Sequence, residues 1–533
     1  MVKKILSFLL NSKWLLFYVF LQTAILFIFM QDAANHDTYH RVCVNICYFF
    51  IVAISLSLLR GGWRKLAIIL LFIQCLIPNI IVFGWYLMAH EIMKSTDFWV
   101  VFDSNISEAS GFASMLTITM ILYVGFYLSL SVFSLVKAYK EYSNNLHVHN
   151  FIVILFIFFW LVSSLVIPFR SQVPAVDFYK SFFNYKKEQR ELISFYENRK
   201  KLKIESNCYF QSEEPKTFVI VIGESVNRNH LGLYGYERNT TPCLDSMKKE
   251  LFVYSNVVSP AIQTLLSLKQ VLTFANYENM NLFKQEASIV EILNGAGYKT
   301  FWYDNQASES GQACGIDKYV PTSYLNIARQ CDVCSFSGQY EEILLMRLDD
   351  ALSDSSLNKV IFLHLMGSHF PYLIRYPIEY NKFTDDKIPS RFSNELSLDE
   401  KIVANAYDNS ILYNDYVISK IINRLRSENG LSAMLYFSDH GEEVFDSLHY
   451  SGRSFGEITS GMYEIPFILW CNEKYKSTIS LSINTFRPYC TDDVIHSIQD
   501  LVGVNYRMKD SSRSIFNSSF NPKKRQVQGR LID

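Results

Sequence analysis

Phe218-Val219-Ile220-Val221-Ile222 runs without a break into Gly223-Glu224-Ser225. A short apolar run of this kind reads as a buried strand, and its end delivers a carboxylate. The same figure returns further along the chain. Ala433-Met434-Leu435-Tyr436-Phe437 runs into Ser438-Asp439-His440-Gly441, and Val360-Ile361-Phe362-Leu363 runs into His364, followed by Gly367-Ser368-His369. Two more runs, 300–303 and 466–470, read as strands. Longer amphipathic stretches at 288–293, 340–352, 399–426 and 491–501 read as helices between them. Alternation of this type predicts an α/β/α domain, with a mostly parallel sheet covered by helices on both faces. In such folds sites gather at the carboxyl ends of strands.

Upstream of this domain the composition changes. Apolar residues make up 50% of the 533, and nearly all the long apolar runs fall in the first 170. A helix crossing a bilayer needs about 20 mostly apolar residues. Five segments qualify: 14–30, 42–59, 66–88, 112–136 and 151–169. A cleavable signal peptide accounts for the first alone. The predicted organisation is a five-helix transmembrane domain over 1–170, a linker with an interfacial amphipathic helix over 171–210, and a catalytic domain over 211–533. The linker alternates Phe178, Tyr179, Phe182, Phe183 and Tyr185 with lysines and arginines, which suits either a membrane surface or an ordinary packed helix.

Orientation follows from the short loops. Lys3, Lys4 and Lys13 precede the first span, Arg60, Arg64 and Lys65 lie between the second and third, and Lys137 and Lys140 between the fourth and fifth. The opposite loops carry Asp32, Asp37, Glu91, Asp97, Asp103 and Glu108 with little more than Arg41 and Lys94. The amino terminus is therefore expected in the cytoplasm and the catalytic domain outside. In a bacterium with two membranes that places the chain in the inner membrane, facing the periplasm. A formal net charge of -1 and the lack of a basic stripe argue against a nucleic-acid partner.

The strand ends carry the chemistry. Glu224, Asp439, His440, His364 and His369 all lie at or just beyond them, where one sheet could converge them. Taken singly, a Glu after a strand is commonly a helix-terminal charge, and a strand His is commonly a hydrogen-bonded core residue. Together, carboxylate oxygens and imidazole nitrogens form a donor set that suits zinc, at about 2.0–2.2 Å.

These residues and their surroundings resemble the phosphoethanolamine transferases that decorate lipopolysaccharide, within the alkaline phosphatase and sulfatase superfamily. The resemblance is carried in order by Gly223-Glu224-Ser225, the segments 233–238 and 240–242 (LYGYER and TTP), Thr264 through Phe274, 364–369 (HLMGSH), 407–413 (YDNSILY), 438–442 (SDHGE) and 465–470 (IPFILW). The stretch at Thr264 is most similar to the branch acting on core sugars. The resemblance implies zinc held by Glu224, Thr264, Asp439 and His440, with Thr264 as the nucleophile. It also implies that His364, His369 and His449 serve at the phosphate or a second metal position, and that Asn105 and Glu108 contact the head group. Cys331 and Cys334 would form a closely spaced disulfide of the kind relatives carry. Of the ten cysteines, Cys208, Cys243, Cys314, Cys471 and Cys490 share that outer domain, where disulfides persist, while Cys43, Cys47 and Cys75 fall in spans.

The implied reaction takes phosphoethanolamine from phosphatidylethanolamine and passes it to lipid A, a core sugar or another cell-surface acceptor. Two departures from the pattern stand out. A phosphate-contacting lysine has no match after Asp304-Asn305-Gln306, and the segment from His440 to His449 is short. A phosphoglycerol transferase or phosphodiesterase would share the Glu, Thr, Asp and His set but use a different donor. A non-catalytic membrane assembly protein would keep the fold and lack zinc. A true sulfatase is disfavoured, because the chain has no Cys/Ser-x-Pro-x-Arg motif.

Overall fold

The computed structural model describes residues 204–210, 212–306, 340–453 and 457–533, the backbone of 313–314 and 332–335, and helical pieces at 13–21, 65–69, 76–89, 118–140 and 178–190. The chain divides into two compact units, the larger holding Gln189–Asp533. In the smaller unit, α1 (Ile77–Ala89) and α2 (Ile118–Lys140) pack through Leu76, Phe83, Leu87 and Tyr127. The other faces of α2 expose Ile118, Leu122 and Phe126, and its last turn carries Lys137 and Lys140. Among the described residues α2 alone is long and apolar enough to cross a membrane. The expected spans at 42–59 and 151–169, and most of that at 14–30, lie outside the described residues.

The larger unit is built on an eight-stranded mixed sheet. Its strands are β1 (Lys216–Gly223), β2 (Leu251–Val253), β3 (Lys299–Asp304), β4 (Ala313–Cys314), β5 (Asp332–Ser335), β6 (Asn358–His364), β7 (Leu431–Ser438) and β10 (Phe467–Cys471), in the order β2-β10-β7-β1-β6-β3-β5-β4. A separate two-stranded hairpin is made by β8 (Glu443–Val444) and β9 (Ser451–Gly452). From β7 to β5 all neighbours are parallel, as the alternating pattern requires. The strand at 466–470 corrects the expectation in one respect: β10 lies antiparallel to both β7 and β2. An apolar run encodes burial but carries no direction, so periodicity could not have set this.

Both faces of the sheet are dry, which is why its strands read as unbroken apolar runs. Phe218, Ile220 and Ile222 of β1 point into one core with Leu435 and Phe437 of β7. That core is closed by α3 (Thr264–Val271), α4 (Ile289–Gly295) and α7 (Val494–Val502). Val219 and Val221 point into the opposite core with Met434 and Tyr436, under α5 (Glu342–Leu352) and α6 (Leu398–Leu425). The long α6 starts at a capping box, in which Ser397 accepts from the Glu400 amide while Glu400 accepts from the Ser397 amide. Three central strands, β1, β6 and β7, therefore end side by side, with Ile222 paired to both His364 and Phe437.

Candidate metal-assisted active site

Beyond the end of β1 the chain turns sharply. Ser225 adopts φ 59, a left-handed conformation that a non-glycine residue holds only when its surroundings fix it. Its amide donates to Asp439 Oδ1 (3.2 Å), its hydroxyl to Glu224 Oε1 (2.7 Å), and its carbonyl accepts from the Tyr407 hydroxyl (2.7 Å). Gly367, at φ 52 beyond β6, faces the same turn. A Cβ there would sit 2.7 Å from the Glu224 carbonyl oxygen, so this approach of the two strand exits requires glycine.

These turns bring Glu224, Asp439 and His440 together, fully buried, with one ligand atom of each within 4.8 Å of the others. His440 Nδ1 lies 2.8 Å from the Gly441 carbonyl oxygen and must donate to it, so Nε2 carries the lone pair. That nitrogen accepts from Arg453 Nη1 at 2.6 Å and lies 3.3 Å from Glu224 Oε1 and 3.2 Å from Asp439 Oδ2. Asp439 Oδ2 is buried and makes no hydrogen bond. Three electron-rich atoms facing one another make a donor set for a cation. Burial and the neighbouring Glu224 carboxylate push the Asp439 carboxyl well above its usual range. Burial works on Glu224 in the same direction, but the His440 imidazole beside it holds its carboxyl below that range.

Thr264, the first residue of α3, joins this group. Its hydroxyl donates to Glu224 Oε2 at 3.0 Å and lies 3.3 Å from His440 Nε2. Ser267, one turn on, donates to the Asp439 carbonyl (2.6 Å) and pins the helix to the β7 exit. His364 is fully buried at the end of β6, its Nδ1 3.3 Å from Asp304 Oδ2. His369 turns Nδ1 to the Phe370 carbonyl oxygen (2.6 Å), which leaves Nε2 as an acceptor, and burial pulls its pKa down to about 4.

Other expected site residues are not brought to this group. His449 is 40% exposed, 3.4 Å from Glu400, with its ring edge-on to Phe392 and Phe445. It belongs to the bend of the β8–β9 hairpin, whose base faces the site. Asn105, Glu108 and Cys331 lie outside the described residues, and of Cys334 only the backbone is described. Cys208, Cys243, Cys471 and Cys490 are free thiols.

Two residues at the group were missed in the sequence. Gln306, two residues past β3, donates from Nε2 to Glu224 Oε2 (3.1 Å) and to the Leu365 carbonyl (2.7 Å). The strand-exit rule that selected Glu224 selects Gln306 as well, but the search at that place was for a cation. Arg453, at the base of the hairpin, reaches His440 Nε2 with Nη1 at 2.6 Å.

A second buried polar cluster buttresses these loops. His230 Nδ1 lies 2.7 Å from Asp408 Oδ1 and Nε2 lies 3.2 Å from both Asp446 oxygens, so both nitrogens donate and the ring is an imidazolium. Asp408 Oδ2 also accepts from Arg238 (2.7 Å) and the Tyr236 hydroxyl (3.0 Å). The segment 230–238 is thereby tied to α6 and to the hairpin. Burial alone would lower the His230 pKa, but Asp446 and Asp408 raise it to about 10. A folded pKa above the unfolded value of about 6.5 means stability that is complete below pH 6.5 and lost as pH rises towards 10. Thermal unfolding of the wild type should therefore lose roughly 3–5 kcal/mol more over this range than that of His230→Gln. Equal slopes for the two proteins would show that the ring is neutral.

Comparison with known proteins agrees with this geometry. The sulfatase family profile matches residues 216–504. Phosphoethanolamine transferase EptC of Escherichia coli K12 is 34% identical over 364 residues, which cover 66% of this chain and 62% of EptC; the match thus spans less than two thirds of that relative. Phosphoethanolamine transferase EptA of Helicobacter pylori is 35% identical over 293 residues, 52% of each chain. Among solved structures, the C-terminal periplasmic domain of E. coli EptC in complex with Zn superposes with a TM-score of 0.55 and 34% identity, covering 62% of this chain and 94% of that one. The integral membrane protein lipooligosaccharide phosphoethanolamine transferase A of Neisseria meningitidis covers 95% of this chain and 98% of its own, with a TM-score of 0.66 and 18% identity, a likeness of fold.

Proposed function

The chain belongs to the sulfatase family, and on that premise we propose that it is a membrane-anchored phosphoethanolamine transferase, drawing on phosphatidylethanolamine and delivering to lipopolysaccharide. The observation that carries this reading is the Thr264 hydroxyl, set at the start of a helix against Glu224 and His440. The named relatives are phosphoethanolamine transferases, and one of them is described in complex with Zn. The buried, unbonded Asp439 Oδ2, gathered with Glu224 and His440, suits such a metal, held by Glu224, Asp439, His440 and Thr264.

Bound there, zinc supplies positive charge that lowers the pKa of a coordinated hydroxyl. The protein's own residues do the rest. Thr264 gives up its proton along its hydrogen bond to Glu224, and Oγ1 attacks phosphorus; the Oγ1–P bond forms as the bond from phosphorus to the glycerol oxygen breaks. Diacylglycerol leaves with the proton that Glu224 received, and the phosphoethanolamine group stays on Thr264, so one difficult displacement becomes two. An acceptor oxygen then attacks the same phosphorus as the Oγ1–P bond breaks, and the proton the acceptor loses restores the threonine hydroxyl. His369 Nε2, unprotonated, takes the acceptor's proton, a role worth about 10²- to 10⁴-fold. The first amides of α3 point towards a phosphoryl group on Thr264 and favour its charge.

A lipid donor does not leave the bilayer cheaply, which accounts for an apolar helix such as α2 in the same chain. The reading keeps five spans, a cytoplasmic amino terminus, a periplasmic catalytic domain of the inner membrane, head-group contacts at Asn105 and Glu108, and a Cys331–Cys334 disulfide. Intact-mass measurement of the full-length zinc-loaded protein, after incubation with phosphatidylethanolamine or phosphatidylglycerol, tests it. A phosphoethanolamine-sized adduct with the first lipid only is expected. An adduct from phosphatidylglycerol alone would replace the donor, and zinc-bound protein that takes no group from either lipid would end the transferase reading.

A further inference from the structure

Arg453 is reached by a hairpin. Glu443 pairs with Gly452 and Val444 with Ser451, so Arg453 follows directly on the strand that returns beside Glu442. The bend of this hairpin is not loose: Glu443 Oε1 accepts from the amides of Asp446 (2.7 Å), Ser447 (2.7 Å) and Leu448 (3.1 Å). Its other oxygen accepts from Thr459 (2.5 Å). The guanidinium is therefore delivered by a fixed frame. Its Nε lies 3.2 Å from Glu442 Oε2, and Glu442 Oε1 accepts from the Tyr372 hydroxyl at 3.0 Å.

This cation stands beside the nucleophile. Nη1 of Arg453 and the Thr264 hydroxyl both lie within hydrogen-bonding distance of the same atom, His440 Nε2. Glu224, Asp439 and His440 are wholly buried, whereas the Arg453 side chain keeps 22% of its surface exposed. Arg453 thus forms an edge of the group that a substrate could reach. Guanidinium is planar, permanently charged and presents paired donors that match two oxygens of one phosphoryl group.

We propose that Arg453 binds the non-bridging oxygens of the phosphoryl group that Thr264 attacks. The proposal takes the identity of the phosphoryl compound from the transferase reading; the geometry stands without it. No bond to Arg453 forms or breaks. It holds charge on oxygens whose charge is redistributed as phosphorus changes partners, and removing one such donor from an enzyme typically lowers the rate by about 10²- to 10³-fold. The competing view makes Arg453 a counter-charge that merely keeps the carboxylates together.

The test is inorganic phosphate binding by the full-length zinc-loaded protein, measured calorimetrically alongside zinc content, for wild type, Arg453→Met and Arg453→Lys. The expected result is phosphate affinity at least tenfold weaker in Arg453→Met, an intermediate loss in Arg453→Lys, and zinc content unchanged in both. Phosphate bound equally by wild type and Arg453→Met, no phosphate binding by wild type, or zinc lost from Arg453→Met would each overturn the proposal. Should Arg453→Met fail to fold, Arg453→Lys decides: weaker phosphate with full zinc supports it, and unchanged affinity overturns it. A wild type that binds phosphate through Arg453 yet takes no group from phosphatidylethanolamine would leave this proposal standing and remove the donor.

Discussion

Thr264→Ala is expected to abolish transfer, lowering the rate roughly 10⁴-fold or more, while the protein stays folded and keeps its metal. The size follows from what is removed: a nucleophile acting as one unit with its activating groups, whose loss alone forfeits most of their joint effect. Retention of the fold follows from where the residue sits. Thr264 is the first residue of α3, its side chain only partly buried, and alanine is the better helix former. Two carboxylates and an imidazole remain for zinc. Thr264→Ser keeps the hydroxyl and should retain measurable transfer, with the adduct shifted to serine. Initial rates with phosphatidylethanolamine, read beside zinc content and melting temperature, check all three expectations. A Thr264→Ala protein with a tenth of wild-type activity would mean that phosphorus is attacked by something else, such as the acceptor directly.

What could be read from the sequence divides along a physical line. Burial is written in composition, so the central strands and the helices at 288–293, 340–352, 399–426 and 491–501 fell within a few residues of α4, α5, α6 and α7. Strand ends then follow from strand positions, which is why Glu224, Asp439 and His440 could be picked before any coordinates, whereas Thr264 came from the family resemblance; all four are found together. Direction and return paths are not written that way. The antiparallel course of β10 depends on the connection before it, and the delivery of Arg453 to His440 depends on how far the chain travels before the β8–β9 hairpin turns back. A histidine draws attention by its chemistry; the register that leaves it in the bend is set by backbone pairing and by Glu443, which reads in sequence as one more acidic residue. Gln306 escaped for a related reason, since a neutral amide at a strand exit carries no chemical flag until Glu224 is seen beside it.

The two buried polar clusters also do different work. His230, Arg238, Asp408 and Asp446 pair donors with acceptors almost completely and so fix the loops that leave the sheet. Glu224, Asp439 and His440 do the opposite: they gather electron-rich atoms about one point, and the Arg453 guanidinium, which meets His440 Nε2, leaves Asp439 Oδ2 without a donor.

That contrast yields the second large effect. Asp439→Asn should weaken zinc binding by 100-fold or more, and yet stabilise the protein in the presence of a chelator. Asp439 Oδ1 already accepts from the amides of Ser225 (3.2 Å) and His440 (2.7 Å), and an asparagine oxygen can keep both bonds. Its amide nitrogen would then occupy the place of Oδ2, 3.2 Å from His440 Nε2, an atom that already accepts from Arg453 Nη1 at 2.6 Å. One of two adjacent buried carboxyls, whose ionisation burial and Glu224 oppose, is replaced by a group that never ionises. For zinc the same change removes an anionic ligand, a heavier loss than the 10- to 100-fold typical of groups one layer out. A 100-fold difference in affinity corresponds to about 2.7 kcal/mol of zinc-linked stability. Thermal unfolding in chelator and in excess zinc should therefore cross over: the variant melts above wild type in the first and below it in the second. If Asp439→Asn melted lower in both, the carboxylate would be serving the fold and not the metal, and the reading of Glu224, Asp439 and His440 as a cation site would have to be given up.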